Sequence, residues 1–118
     1  MDCSKLSDFE INKRVFERKT SLAALSYPHS ADKRSCGHKD INDIYHWFDF
    51  CNNPADAWPI ITGNGISLYQ DNGNWQAEMT YYAPVGAFGT DETCSKFVDD
   101  KNPLRAAMIV FLMMQEAK

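Results

Sequence analysis

The stretch Ile66–Tyr82, ISLYQDNGNWQAEMTYY, decides the fold. Asn72-Gly73 sits between two strand-like runs, and Asn-Gly in that setting is the strongest short-range hairpin signal, because both turn residues must adopt positive φ. Strands are therefore expected over Ile66–Tyr69 and Trp75–Tyr82, with Asp71-Asn72-Gly73-Asn74 as the turn.

A hairpin alone is marginal in water and needs a partner layer. The candidate is the closing segment Asn102–Glu116, NPLRAAMIVFLMMQE. Asn102 followed by Pro103 reads as an N-cap with proline at the first helical position, so a helix is expected from Pro103 to about Glu116. Leu104, Ala107, Met108, Phe111 and Leu112 form a core-facing stripe at i, i+3, i+4, i+7 and i+8. Ile109, Val110, Met113 and Met114 are apolar too and fall largely elsewhere on the wheel. A helix apolar nearly all round is either central in its domain or covered by another subunit. These four residues are accordingly the candidates for a self-association surface, and a homodimer is expected.

Ser7-Asp8-Phe9-Glu10 fits a capping box, with Leu6 and Ile11 placed as a hydrophobic staple. A first helix is expected from about Asp8 to Arg18, with Ile11 and Val15 on its apolar side. Thr20–Tyr27 is ambiguous between a last helical turn and a short strand. Pro28–Asp40, PHSADKRSCGHKD, carries turn formers and charges and reads as an exposed loop. Ile44–Phe50, IYHWFDF, is aromatic and β-prone, hence a strand.

Asp49–Ile61, DFCNNPADAWPII, then reads as a strand-to-helix corner. Asn53 and Pro54 repeat the cap-and-proline device, Trp58 is expected to anchor the helix in the core, and Pro59 to kink or end it. Polar groups beside an aromatic anchor suit recognition, so Asn52, Asn53, Asp56 and Trp58 are the candidate binding surface. Pro84–Gly89 reads as a turn-rich exit and Asp91–Lys101 as an acidic loop.

The 118 residues and formal charge of -4 bound the class: one domain, 1–118, with a core that needs no staples and a surface poorly suited to coating nucleic acid. The longest apolar run, Ala106–Met114, is far short of the roughly 20 residues that span a bilayer. The opening MDCSKLSDFE is polar rather than apolar, so a secretion leader is not expected. The cysteines at 3, 36, 51 and 94 are then expected to be reduced thiols.

No chemical constellation assembles from spacing. Cys51 precedes a helix start, but His46 lies an odd number of residues away, so a regular strand would point the two to opposite faces. Cys36-Gly37-His38, with His29 and His46, is a poor zinc knuckle without a second pair. Asp49 and Asp56 flank the corner, and Asp56 suits the helix dipole without any acid–base role. Gly63-Asn64-Gly65 precedes a strand instead of following one, unlike a phosphate-cradling loop. Lys13, Arg14, Arg18 and Lys19 on helix 1, with Tyr45, Trp47, Trp75, Tyr81 and Tyr82, are the residues a nucleic-acid-binding reading would use. No catalytic residue, metal or cofactor is expected.

SDFEINKRV near the start, DFCNNPADAWPII, ISL, the Trp-x-Ala of the hairpin and NPLRAAMIVFLMMQE together resemble the NinX family. These are small proteins of tailed bacteriophages and prophages, named from the nin region of lambdoid phages. The likeness covers about half the chain, in the family's order; Arg18–Asp43 and Tyr81–Lys101 match no motif of it. The resemblance implies a phage accessory protein in the bacterial cytoplasm, with no established enzymatic activity. The nin neighbourhood includes recombination and DNA-processing genes, which adds nucleic-acid binding as the alternative.

The expectation is thus an α+β fold, a small antiparallel sheet on the 66–82 hairpin packed against an N-terminal and a C-terminal helix. The function expected is protein interaction without catalysis, with an unidentified phage or host protein as partner and no membrane. A nucleic-acid accessory role comes second, and a small hydrolase or thiol enzyme at Cys51 third.

Overall fold

The computed structural model describes residues 3–83 and 92–117. After a 3-10 turn at Cys3–Lys5 come α1 (Asp8–Thr20), β1 (Cys36–Lys39), β2 (Tyr45–Phe48) and α2 (Pro54–Gly63). Then follow β3 (Ser67–Asp71), β4 (Asn74–Ala83), β5 (Glu92–Asp100) and α3 (Pro103–Ala117). Strands β1 and β2 form an antiparallel ribbon, and β3-β4-β5 an antiparallel sheet in sequence order, so the fold is α+β.

The hairpin forms where the turn chemistry places it. Asp71 faces Asn74, and Asn72 and Gly73 carry φ of 50° and 82°, the positive pair that a type I′ turn demands. The sheet extends further than expected. Glu92–Asp100, read from sequence as part of an acidic loop, pairs with β4 from Ala83↔Glu92 to Trp75↔Asp100. Alternation explains the misreading: Val98 is buried while Phe97 and Asp99 are exposed, so the acidic side chain sits on the open face. Pro84–Gly89 and Asp91 lie outside the described residues.

Helix α3 is the centre of the molecule. It packs on β4 and β5 on one side and meets α1 and α2 on others. That position explains an all-round apolar helix without a second subunit. Ile109, Val110 and Met114 are 2%, 0% and 2% exposed and Met113 is half-buried. The sequence argument for self-association through these four therefore fails, since their own chain covers them. Helix α1 lies against α3 and β1. It begins as expected, with Glu10 N donating to Ser7 Oγ at 3.1 Å, and runs two residues beyond Arg18 before Ser21 turns left-handed at φ 61°.

The expected loop over Pro28–Asp40 in fact holds β1, and the strand expected over Ile44–Phe50 is shorter, Tyr45–Phe48. Gly37 looked like a turn former. Its role is to admit the Trp47 indole across the ribbon: a Cβ there would stand 2.5 Å from Trp47 Cζ3. Pro59 does not end α2, which continues to Gly63. Ala57, Ile60 and Ile61 supply its buried face at i, i+3 and i+4, which leaves Trp58 outside at 60% exposed, not anchored in the core.

Candidate functional site

The corner between β2 and α2 is organised by a buried amide. Asn12, on α1, is fully buried. Its Nδ2 donates to Arg34 O at 2.9 Å and to Asp49 Oδ1 at 3.0 Å, and its Oδ1 accepts from Cys51 N at 3.0 Å. A buried amide satisfied on both ends costs little and fixes the groups around it, whereas one left open is expensive. Asn12 therefore holds the chain before β1 and the chain after β2 against α1.

Asp49 is the hub of the exposed side. Its Oδ1 accepts from Asn12 and from Asn52 Nδ2, and its Oδ2 from Arg34 Nε at 2.9 Å. This ion pair pushes the Arg34 guanidinium up from its ordinary range, chiefly through the hydrogen bond and then the charge of Asp49. Asp49 O accepts from both Asn52 N and Asn53 N, which makes the tight corner, and Asp49 N donates to Asp56 Oδ2 at 2.9 Å. Asp32 closes the turn before β1 by accepting from the Arg34 and Ser35 amides and the Ser35 hydroxyl. Burial acts to raise the Asp32 carboxyl, but these hydrogen bonds together outweigh it and hold it at about 2.

The network continues to both long helices. Asn52 Nδ2 also reaches Asp8 Oδ2 at 3.0 Å, and Asp8 Oδ1 takes Arg105 Nη1 at 2.7 Å. Arg105 Nε binds Asp100 Oδ2 at 3.1 Å. Asn102 donates from Nδ2 to Cys51 O at 2.7 Å, while its Oδ1 caps α3 at Leu104 N. The segments SDFEIN, DFCNNPADA and NPLR are thus one polar assembly.

Above it lies a shallow cleft of 340 Å³ lined by Asp32, Arg34, Ser35, Trp47, Asp49, Asn52, Asn53, Pro54 and Asp56. Three of the four residues expected to form a binding surface, Asn52, Asn53 and Asp56, meet here. Trp58 does not line it. Sequence reasoning missed Arg34, in a segment read as loop, and named Trp47 only for a nucleic-acid-binding reading; tertiary structure brings both beside the corner. Asn52 is engaged on both amide ends. Arg34, half-exposed, uses only Nε, and Asn53 uses Oδ1 to cap Ala55 N. The remaining donors of Arg34 and Asn53 have no partner among the described residues.

Trp47 belongs to an aromatic shelf. Tyr45 stacks on it with centroids 6.2 Å apart and planes 10° apart, His29 meets it edge-on at 4.7 Å, and Lys39 Nζ lies 5.8 Å above the Tyr45 ring. A separate hollow of 440 Å³ lies at the turn end of the three-stranded sheet, lined by Tyr69, Asp71, Asn74, Trp75, Gln76 and Asp99. It holds none of the four residues expected to form a binding surface, and of the aromatics named for nucleic-acid binding only Trp75 lines it.

The thiols of Cys36 and Cys51 are poorly placed for chemistry. Cys51 is buried, and burial pushes its pKa far up; burial likewise pushes Cys36 up to about 12. Cys36 Sγ donates to Asn12 O at 3.3 Å, and His46 Nε2 is engaged with Asp40 Oδ2 at 2.7 Å. Among the described residues, no three of His, Cys, Asp or Glu are grouped to hold a metal ion. On α1, Lys13 pairs with Glu17 at 3.7 Å. The side chains of Tyr81 and Tyr82 lie outside the described ones. Among the described residues no helix is long and apolar enough to cross a membrane.

No curated protein matches, but a family model described as "Bacteriophage P22, NinX" matches residues 2–115, nearly the whole chain. The match includes the three segments joined in the Asn12–Asp49–Arg105 network. The chain belongs to the bacteriophage P22 NinX family.

Proposed function

We propose that the chain is a phage accessory protein that acts without catalysis in the cytoplasm of the bacterial host, binding another protein of phage or host through the corner cleft. One observation carries this reading. Arg34 and Asn53 bring unfilled donors into a cleft walled by the Trp47 ring, on a base that Asn12 and Asp49 hold rigid. Fixed donors beside an aromatic wall suit a polypeptide segment that offers carbonyl or carboxylate oxygens together with an apolar side chain. The exposed Trp58 on the neighbouring face of α2 extends the available aromatic surface.

The test is affinity capture of the tagged protein from phage-infected cells, with and without nuclease, comparing the native chain with Arg34→Ala and Trp58→Ser. The reading expects a nuclease-resistant partner that Arg34→Ala depletes at least several-fold. A partner retained equally by both variants would move recognition away from the corner.

Nucleic-acid binding has one observation in its favour, the Tyr45–Trp47 stack with Lys39 beside it. It expects capture to vanish with nuclease and with added salt.

A further inference from the structure

Ribbon β1–β2 has one covered edge and one open edge, and hydrogen-bond phase identifies which groups the open edge presents. Asp40 N donates to Ile44 O at 2.9 Å, closing the ribbon, and Leu25 N donates to Gly37 O at 2.8 Å from outside it. Antiparallel pairs alternate between exchanging hydrogen bonds and not doing so. With His38↔His46 and Cys36↔Phe48 as the bonded pairs, Gly37↔Trp47 and Lys39↔Tyr45 are the non-bonded ones. The N–H and C=O groups of Tyr45 and Trp47 therefore point away from β1. Leu25 occupies the β1 edge. The β2 edge has no ladder partner among the described residues.

Open edges are usually guarded by lysine, proline or a bulge. The four residues of β2, Tyr-His-Trp-Phe, carry none of these. The edge is also sterically clear, because Gly37 lets the Trp47 ring lean over β1 and away from the open side. Beside it the hairpin tip exposes Ile41 at 96% and Ile44 at 55%. Its polar side chains are already paired within the chain, Lys39 with Asp43 at 3.3 Å and His46 hydrogen-bonded to Asp40 at 2.7 Å, so an unpaired lysine does not oppose approach of an identical edge.

We propose that β2 pairs antiparallel with β2 of a second copy, about a two-fold axis through His46. This register places Tyr45 opposite the second copy's Trp47 and Trp47 opposite its Tyr45. All four edge-facing groups of each chain are then bonded, and the two aromatic shelves join into one face. Ile44 comes to lie opposite the second copy's Phe48. Ribbon becomes four-stranded sheet, and the interface is isologous, as a two-fold requires. An edge of four residues is only about 13 Å long, so the contact falls below the standard interface size and forms a weak, concentration-dependent dimer.

Sedimentation velocity from about 20 μM to about 2 mM tests the pairing, a span matched to the weak affinity that such a small interface supports. The weight-average mass is expected to rise from monomer towards dimer, and Ile44→Lys with Tyr45→Lys, both at exposed positions, to abolish the rise. His46→Cys tests the register, since non-bonded partners across the axis stand about 4.5 Å apart at Cα, within disulfide reach. It is expected to cross-link on mild oxidation at least tenfold more than Tyr69→Cys, equally exposed on β3. A monomer up to the highest concentration overturns the proposal and leaves the edge to a foreign strand. A dimer that survives the double lysine variant, or His46→Cys no better than Tyr69→Cys, places the contact elsewhere and also overturns it.

Discussion

Arg105 and Asp8 are 97 residues apart and meet through a 2.7 Å hydrogen bond that ties the first turn of α3 to the first turn of α1. Asp8 completes the arrangement by accepting Asn52 on its other oxygen, and Arg105 by binding Asp100 and Leu6 O. Both side chains are largely withdrawn from water, so loss of either strands a charge. Arg105→Ala is expected to cost about 2–4 kcal/mol, discounted from the fully buried case for the residual exposure of Asp8. Chemical denaturation of Arg105→Ala, Asp8→Ala and the double variant checks this. The two effects should be strongly non-additive.

Asn12→Ala removes three hydrogen bonds at once: Cys51 N and Arg34 O lose their Asn12 partner, and Asp49 Oδ1 keeps only Asn52. The expected loss is about 2–3 kcal/mol, the scale set by stranding buried polar groups. Asn12→Asp should be worse at neutral pH, because it sets a second carboxylate against Asp49. Thermal melts at pH 7 rank the two.

Gly37→Ala places a methyl inside the Trp47 ring and must displace the indole. The expected cost is about 1–3 kcal/mol, as for other small-to-large changes in a packed site. Trp47 emission should shift to the red as the ring moves into solvent, read in a background with Trp58 and Trp75 replaced by phenylalanine.

Acid should weaken the corner before it unfolds the core. The Asp32 carboxyl is held at about 2 against an ordinary 3.8, and Asp40 is lowered by its bond to His46 and the turn amides. A depressed carboxyl contributes stability that is present above its unfolded pKa and lost as pH falls through the folded one. The loss due to Asp32 therefore belongs between pH of about 4 and about 2. Asp32→Asn should flatten that part of a stability-against-pH curve. An unchanged curve would contradict the hydrogen-bonded turn.

Cys36 and Cys51 should resist alkylation at pH 8, since both thiols are buried and held in the protonated form. Mass-resolved iodoacetamide labelling is expected to run at least tenfold slower at both positions than in the denatured chain.

What the sequence made legible was mostly local. Ser7 and Glu10, Asn53 and Pro54, Asn72 and Gly73, and Asn102 and Pro103 each fix a backbone geometry within four residues, and each marks an element that the structure has. Strands β1 and β5 were hidden because their signals are tertiary. Gly37 reads as a loop residue until Trp47 is laid over it, and the acidic run around Asp99 reads as solvated until β4 gives it an open face. Of the candidate site, the asparagines and Asp56 were legible from the corner motif. Arg34 was not, nor was the place of Trp47 beside the corner, because the Arg34–Asp49 and Gly37–Trp47 contacts join segments whose spacing carries no periodic mark.

The central place of α3 has a consequence for how the chain comes into being. Synthesis is vectorial, and this helix emerges from the ribosome after every strand and helix that it covers. Until it arrives, the β3-β4-β5 sheet lacks the helix that it closes on, and the inner face of α1 has only β1. The nascent chain therefore holds these apolar faces open until α3 emerges, and the elements before it condense only once it has done so.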